Sequence, residues 1–227
     1  MIEEEATSIK VVFLGETAVG KSSLISRFVE DKFQTNYTTT MTGAFFSKEV
    51  FYEKYQKKIK YEIWDTAGQE KYRALNKMFY QDTKVIILVI DITRKDTYQA
   101  ILNYWYKELK ENAPQNTIIA LAANKNDLYE YEEVTNEELD QYAKSINAIY
   151  QKTSALKGQG ITELFNVIGE KILSSENHEE IETKQVNENK KIRLESSLRD
   201  IELSKTNSDV SDKNANNANK QNKKSCC

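Results

Sequence analysis

Cysteine is almost absent from the 227-residue chain, and the two that occur, Cys226 and Cys227, are its last residues. This placement excludes a disulfide framework, and the sequence clusters no other ligands for a zinc site. No apolar run approaches the roughly 18 residues that span a bilayer. The acidic first five residues lack the basic and apolar regions of a signal peptide, so we expect a cytosolic compartment. With a net charge of −3, the chain as a whole has no attraction to nucleic acid or anionic lipid.

The composition of the chain changes near residue 174. Apolar runs alternate with helical patterns up to Leu173, whereas no aromatic residue follows Phe165 and the end is rich in Asn, Lys and Ser. A segment of that composition cannot bury enough apolar surface to offset the entropy lost on ordering. We therefore expect one domain over residues 1–174 and a disordered tail over 175–227. An apolar stripe from Ile192 to Leu203 leaves a weak helix in the tail as the less favoured alternative.

Within the domain, six strand-like runs are separated mostly by helical patterns. This alternation predicts an α/β fold with a mostly parallel six-stranded sheet and helices on both faces. No helix lies between the second and third runs, so they form a hairpin that places one antiparallel strand at the edge of the sheet. The predicted strands are 9–14, 44–51, 59–64, 85–92, 118–123 and 149–153, and the predicted helices are 21–29, 97–111, 136–146 and 161–173.

Residues 15–22, GETAVGKS, match the phosphate-binding pattern G-x-x-x-x-G-K-[ST] directly after the first predicted strand. Glycines let the backbone wrap around phosphates, and the loop N–H groups and the helix N-terminus present partial positive charge. The Lys21 ammonium can reach the terminal phosphates, and the Ser22 hydroxyl can bind Mg²⁺. A purely structural glycine turn is the less favoured interpretation, so the fold is predicted to be that of a P-loop NTPase. We expect the phosphates to contact Gly15, Thr17, Ala18, Val19, Gly20, Lys21, Ser22 and Ser23.

The tetrad NKND at residues 124–127 follows the fifth predicted strand and selects guanine over adenine. The Asp127 carboxylate can accept hydrogen bonds from N1–H and the 2-amino group of guanine. Adenine has no N1 proton, which would leave this acceptor unpaired at a cost of about 1–3 kcal/mol or more. Asn124 can tie the loops together, and the stem of Lys125 can lie over the base. We therefore expect GTP or GDP as the bound nucleotide.

Residues 64–70, WDTAGQE, end the third predicted strand. Asp65 can hold a Mg²⁺-bound water, the Gly68 N–H can face the γ-phosphate, and Gln69 can orient the attacking water. With these motifs the chain resembles the Ras superfamily of small GTPases, and most of all its Rab family, over about residues 9–173. Segments such as 72–75 and 104–109 are similar to the early-endosomal branch. The resemblance implies slow GTP hydrolysis, stimulated by an activating protein, and recruitment of effectors by the GTP form in endocytic vesicle trafficking.

The resemblance also assigns roles to residues outside these motifs. Phe33 falls where an aromatic ring packs against guanine, and Thr40 falls where the switch I threonine closes over Mg²⁺ and the γ-phosphate. After Ser154, the backbone N–H of Ala155 would donate to guanine O6. Three aromatic residues on strands more often belong to a core, but Phe45, Trp64 and Phe79 match the triad that contacts effectors in Rab proteins.

Two positions depart from the family pattern. Thr42 stands where Rab proteins have a glycine after the switch I threonine, so we expect an altered local backbone there. Leu156 replaces the lysine of the family's Ser-Ala-Lys sequence, which removes the packing of that lysine over the base. We expect this second change to shift the affinity for the nucleotide.

Cys226 and Cys227 resemble the double-cysteine end of Rab proteins, to which two geranylgeranyl groups are attached. One lipid chain gives marginal membrane binding, whereas two give stable anchoring. The resemblance therefore implies residence on the cytoplasmic face of intracellular membranes, the early endosome above all, with a cytosolic pool. The implied partners are a guanine-nucleotide exchange factor, a GTPase-activating protein, a GDP dissociation inhibitor, a Rab escort protein and endosomal effectors.

Other functions fit the sequence less well. A GTP-dependent scaffold that does not hydrolyse GTP conflicts with the intact Gln69. A P-loop nucleotide kinase would need an arginine-bearing lid and a second substrate site, and it would leave residues 124–127 unexplained. A Rab of another trafficking step stays open.

Overall fold

The computed structural model describes residues 6–33, 43–66, 77–176 and 190, and all six predicted strands fall within these ranges. Each strand begins and ends within two residues of its predicted bounds, and the largest differences are at the first and third strands, which both start two residues earlier. The strands are β1 (Thr7–Leu14), β2 (Ala44–Tyr52), β3 (Lys57–Asp65), β4 (Val85–Asp91), β5 (Ile118–Asn124) and β6 (Ile149–Lys152).

The strands form one sheet in the order β2-β3-β1-β4-β5-β6. Strand β1 pairs in parallel with β3 and β4, and β4, β5 and β6 continue the parallel part. Strand β2 pairs antiparallel with β3, from Ala44 opposite Asp65 to Tyr52 opposite Lys57. The predicted edge hairpin is therefore confirmed. Because the parallel strands all point the same way, the loops that follow β1, β3, β4 and β5 meet at one edge of the sheet.

Helices cover the two faces of this sheet. Helix α5 begins with a capping box in which Thr135 and Glu138 satisfy each other's backbone N–H groups, while α1 begins directly after the left-handed Gly20. The helices are α1 (Lys21–Glu30), α2 (Lys77–Tyr80), α3 (Lys95–Ala100), α4 (Tyr106–Asn112), α5 (Asn136–Ser145) and α6, which comprises residues 161–176 of the described chain.

Alternate residues of the central strands enter two separate cores. Val11 and Phe13 of β1 pack on the face covered by α1 and α6, whereas Val12 and Leu14 pack on the opposite face with Trp105. Every residue of β4 is buried, as expected for a central strand that is covered on both sides. The predicted α/β architecture with helices on both faces is confirmed.

The predicted helix 97–111 is interrupted by a wider turn. Residues Ile101–Trp105 form a π-helical turn between α3 and α4. Ile101, Trp105 and Leu109 are all buried at a spacing of four residues. A regular α-helix gives the same spacing, so the sequence pattern does not reveal the extra residue in this turn.

A tyrosine pair fills the space between the hairpin and α6. The hydroxyl oxygens of Tyr52 and Tyr61 are hydrogen-bonded to each other at 2.6 Å, and they lie 2.9 and 3.1 Å from the carbonyl oxygen of Phe165. Burial raises the pKa of the Tyr61 phenol far above its usual value. Gly169 makes room for this pair, because a Cβ at that position would overlap the Tyr52 ring.

None of the described helices has both the length and the apolar character needed to cross a membrane.

Candidate functional site

The loop between β1 and α1 lies against the ends of the neighbouring strands. Gly15 has a φ of +142°, and a Cβ there would lie 2.5 Å from the carbonyl oxygen of Val89. Gly20 has a φ of +99°, and its Cβ would overlap the side-chain amide of Asn124. Both positions therefore require glycine, because the backbone needs the conformation and the neighbouring strands leave no space. These contacts fix the loop that the sequence predicts to hold phosphates.

The loop closes around the Lys21 ammonium. The Lys21 side chain is 6% exposed, and its Nζ donates to the carbonyl oxygens of Gly15 and Glu16, at 2.9 Å each. Burial lowers the pKa of Lys21 to about 8, against the opposing effect of Asp65 and Glu16. An anion placed next to this ammonium would favour its charged form. The arrangement therefore suits a phosphate ligand.

Ser22 and Asp65 are brought together from α1 and the end of β3. The Ser22 hydroxyl donates to Asp65 Oδ2 at 2.5 Å, and Asp65 is buried. The next residue, Thr66, donates from its hydroxyl to the carbonyl of Phe13 at 2.6 Å, which fixes the end of β3 against β1. In nucleotide sites Mg²⁺ is bound by carboxylate and hydroxyl oxygens of the protein, together with phosphate oxygens and waters. This oxygen donor set fits Mg²⁺.

Asn124 at the end of β5 joins three loops. Its Nδ2 donates to the carbonyl of Val19 in the loop after β1, at 2.8 Å. Its Oδ1 accepts from the Thr153 hydroxyl and from the Ala155 N–H, both at 3.3 Å. The side chain is fully buried, so these contacts lie in a region from which water is excluded. The geometry agrees with the role as a loop tie that the sequence predicts for Asn124.

Asp127 and Ser154 face each other across the next two loops. The Ser154 hydroxyl donates to Asp127 Oδ1 at 2.5 Å and accepts from the Lys157 N–H at 3.0 Å. Lys125 has a left-handed backbone, and its ammonium pairs with the buried carboxylate of Asp91 at 2.5 Å. The far end of the Lys125 stem is thereby fixed. Asp91 is a site residue that the motif analysis missed, because it belongs to the end of β4.

Two further side chains hold the phosphate-binding loop from the opposite face. The indole Nε1 of Trp105 donates to Glu16 Oε1 at 3.0 Å. Arg94 donates to the carbonyl of Thr17 at 3.1 Å and is itself held by Asp96 at 2.7 Å. The Asp96 carboxylate raises the pKa of the Arg94 guanidinium. Neither contact could be predicted from a sequence motif, because the partners are more than 70 residues apart.

Arg27 on α1 is a fourth side chain that the sequence motifs do not indicate. Its Nε donates to the carbonyl of Ala155 at 3.0 Å, and its Nη2 donates to the carbonyl of Leu156 at 3.1 Å. Its Nη1 contacts the carbonyl and the carboxylate of Asp31, at 3.0 and 3.2 Å. One guanidinium therefore connects α1 with the loop after β6.

The three aromatic residues of the predicted effector surface are contiguous. The Phe45 and Trp64 rings are 5.3 Å apart, and the Trp64 and Phe79 rings are 5.8 Å apart, measured between centroids. Phe45 is 52% exposed, whereas Trp64 and Phe79 are half-buried. The structure therefore brings the triad together, with Phe45 as its most accessible member.

The remaining predicted residues divide into described and undescribed ones. Phe33 is half-buried against the core on the α1 face, and Ser23 is half-buried in the first turn of α1. Ala155 is buried, whereas Leu156 is 47% exposed. The predictions for Thr40, Thr42, Gly68, Gln69, Cys226 and Cys227 lie outside the described residues.

Comparison with known proteins gives matches over most of the described fold. The sequence model of the Ras family matches residues 10–174. Ras-related protein Rab-22A of Homo sapiens is 44% identical over 169 residues, which are 74% of this chain and 85% of the relative. Ras-related protein Rab-31 of Homo sapiens is 42% identical over 171 residues, or 75% and 86% of the two chains. Ras-related protein Rab-21 of Canis lupus familiaris is 39% identical over 186 residues, or 82% and 78%.

Proposed function

Because the chain belongs to the Rab family of small GTPases, in its early endocytic branch, we propose that the loops around Asn124 hold GTP and Mg²⁺ and that the GTP form recruits effectors to endosomal membranes. Members of this family hydrolyse GTP and act in vesicle trafficking, which confirms the predicted activity and excludes the nucleotide kinase. The observation that supports the assignment of the site is the Asn124 side chain. It connects the phosphate-binding loop with both loops that would surround a base.

Guanine is read by Asp127 and Ala155 in this assignment. The Asp127 carboxylate accepts from N1–H and the 2-amino group, and Ser154 orients it through the 2.5 Å hydrogen bond. The Ala155 N–H, whose bond to Asn124 is long at 3.3 Å, donates to guanine O6. Phe33 and the Lys125 stem enclose the base.

The substitution Asp127→Asn tests whether the Asp127 carboxylate recognises guanine. The amide would offer a donor where guanine presents donors, so we expect GDP affinity to fall by at least about tenfold. Xanthosine diphosphate, which has a carbonyl in place of the 2-amino group, should gain affinity. Binding of fluorescent derivatives of both nucleotides measures the change. Glu130→Gln, an exposed substitution in the same turn, is the control, and equal losses for both nucleotides in D127N would contradict the assignment.

The phosphates and Mg²⁺ are held by the loop after β1 and its neighbours. Lys21 neutralises phosphate charge, Ser22 and Asp65 hold the metal directly or through water, and Thr40 joins them when the γ-phosphate is present. Mg²⁺ when bound neutralises charge that develops on the phosphate oxygens. The Gly15–Ser23 N–H groups and the α1 N-terminus add partial positive charge at the same place.

Gln69 orients the water that attacks the γ-phosphate, and Gly68 contacts the γ-phosphate through its N–H. Intrinsic hydrolysis should be slow, on the order of 10⁻⁴–10⁻² s⁻¹, and an activating protein should raise it by roughly 10³–10⁵. Single-turnover GTP hydrolysis by Gln69→Leu, with and without an activating protein, tests this role. We expect both rates to fall, and unchanged rates would overturn the role of Gln69.

The membrane contact is made by prenyl groups on Cys226 and Cys227. An exchange factor, a GTPase-activating protein, a GDP dissociation inhibitor and a Rab escort protein are the regulators that this cycle needs. Removal of both cysteines should transfer a tagged chain from endosomal membranes to the cytosol, because the lipid attachment sites are lost. Fractionation of cells before and after the deletion measures this, and persistent membrane association would refute the anchor.

A further inference from the structure

Arg27 contacts a loop that is 128 residues away in sequence. Its planar guanidinium donates to two successive carbonyl groups, those of Ala155 and Leu156. Such a forked contact fixes both the distance and the angle between its partners, because the donor directions are rigid. The Arg27 side chain is 19% exposed, so the contact is partly shielded from water.

The two carbonyl groups belong to the segment that carries the base-reading atoms. The Leu156 carbonyl and the Lys157 N–H are parts of one peptide group. Arg27 holds the oxygen of that group, and Ser154 Oγ accepts from its N–H at 3.0 Å. Arg27 also donates to the carbonyl of Ala155. The N–H of this same residue is the group proposed to donate to guanine O6.

Leu156, the residue after Ala155, adds little apolar anchoring to this segment. The Leu156 side chain is 47% exposed, and so its burial contributes little to the position of the loop. Gly158 passes close to the same arginine, since a Cβ there would lie 3.5 Å from Arg27 Cδ. Arg27 thus connects the loop to α1 through hydrogen bonds to the loop backbone, in addition to the burial of Ala155 in the core.

We propose that Arg27 is a positioning residue for guanine recognition, which acts by holding the Ala155 N–H at the place where the O6 atom binds. This inference rests on the proposed role of Ala155. It adds a link from α1, the helix that follows the phosphate-binding loop, to the loop that reads the base. Loss of the link should weaken the recognition of O6 more than the recognition of the 2-amino group by Asp127.

Two nucleotide analogues separate these contacts. In 6-thio-GDP a weaker acceptor replaces O6, while N1–H and the 2-amino group remain. IDP keeps O6 and lacks the 2-amino group. Affinities of the full-length protein for GDP, 6-thio-GDP and IDP, measured by competition with a fluorescent nucleotide, give two selectivity ratios for each variant.

In Arg27→Ala we expect the preference for GDP over 6-thio-GDP to shrink by roughly three- to tenfold, the size of one lost hydrogen bond. The preference for GDP over IDP should change less than twofold. Arg27→Lys should show an intermediate preference for GDP over 6-thio-GDP, because an ammonium cannot reproduce the rigid geometry with which the guanidinium donates to both carbonyl groups. Asp31→Asn is the matched control. It removes the ion pair at 3.2 Å but leaves both loop carbonyl contacts, and asparagine tolerates the left-handed backbone of residue 31.

A merely structural role for Arg27 would lower the thermal stability and all three affinities together, with both ratios unchanged, and that result would overturn the inference. A wild-type protein that binds GDP and 6-thio-GDP equally would overturn the role of Ala155 and this inference with it. If the wild-type protein prefers GDP over 6-thio-GDP and R27A shows the same ratio of the two affinities, the role of Arg27 alone would be overturned. Thermal unfolding of each variant shows which of them are folded, and R27K serves if R27A is not.

Discussion

Three side chains from outside the motif set the position of the phosphate-binding loop. Trp105 and Arg94 hold Glu16 and Thr17 from the α3–α4 face, while Asn124 holds Val19 from the end of β5. Each contact is made to a loop residue that the sequence motif leaves unspecified. Conformational freedom in this loop is thus limited by residues outside the motif.

Trp105→Phe tests the contribution of one such side chain. The substitution keeps most of the buried aromatic volume but removes the N–H that donates to Glu16, so we expect GDP to dissociate about three- to tenfold faster. The free energy of unfolding should fall by about 1–3 kcal/mol. Stopped-flow displacement of a fluorescent GDP and chemical denaturation measure the two effects. Glu16→Gln keeps an acceptor for the indole and should change dissociation less, while an unchanged rate in W105F would contradict the argument.

The residues that could be predicted are those whose chemistry is local in sequence. Gly15, Lys21 and Ser22 lie within one octet, and Asn124 and Asp127 within one tetrad, so a pattern identifies them. Arg27 and Asp91 could not be found in this way, because their partners lie in the loops that follow β6 and β5, far away in sequence. Their roles depend on the order of strands in the sheet, which a single sequence does not contain.

Among the elements, α6 shows how a glycine can be required inside a helix. Gly169 faces the Tyr52 ring, and the phenol oxygens of Tyr52 and Tyr61 meet at the carbonyl of Phe165. The helix thereby packs closely on the edge hairpin. A glycine is normally unfavourable inside a helix, whereas here the close contact with Tyr52 explains why a glycine is present.

Gly169→Ala should destabilise the fold although alanine favours helices. The added Cβ overlaps the Tyr52 ring, and overpacking of this kind costs about 1–3 kcal/mol. Chemical denaturation followed by circular dichroism measures the loss. Val167→Ala, at an exposed position of the same helix, is the control and should be neutral within about 0.5 kcal/mol. Equal stability of G169A and the wild-type protein would show that the tyrosine pair can move away.

The six strands, the longer helices and most boundaries were predictable because the runs of apolar residues are long and regular, whereas the four-residue α2 was not predicted. The π-helical turn at Ile101–Trp105 and the short turn at Asn126–Tyr131 were not predicted either. The first keeps the burial spacing of a regular helix, and the second follows a left-handed Lys125 that no residue type demands. Both depend on backbone geometry that packing against the sheet selects.

At the level of the complete fold, the proposed effector surface and the proposed nucleotide loops lie at the same edge of the sheet. Ala44 pairs with Asp65 at the end of β3, and the neighbouring Phe45 is exposed on the edge strand β2. Its ring contacts Trp64, which contacts Phe79. An exposed, contiguous aromatic cluster of this kind is typical of a protein-binding surface.

Phe45→Ala should therefore weaken effector binding and leave nucleotide affinity unchanged. An exposed aromatic residue near the centre of an interface often contributes 2 kcal/mol or more, so we expect a loss of roughly thirtyfold or more in affinity for an effector. Binding of the GTP-loaded protein to an isolated effector domain measures it. Phe51→Ala is the matched control, because Phe51 is 50% exposed on the same strand at its opposite end. Equal losses in both variants would contradict a surface centred on the triad.

The alternation along β2 has an evolutionary consequence. Phe45, Ser47, Glu49 and Phe51 are exposed, while the residues between them are at least half-buried. Substitutions at the four outward positions can accumulate without disturbing the inner face or the loops at the strand ends. A lineage of duplicated chains could thus acquire different partners one side chain at a time, while each copy inherits the same chemistry of GTP.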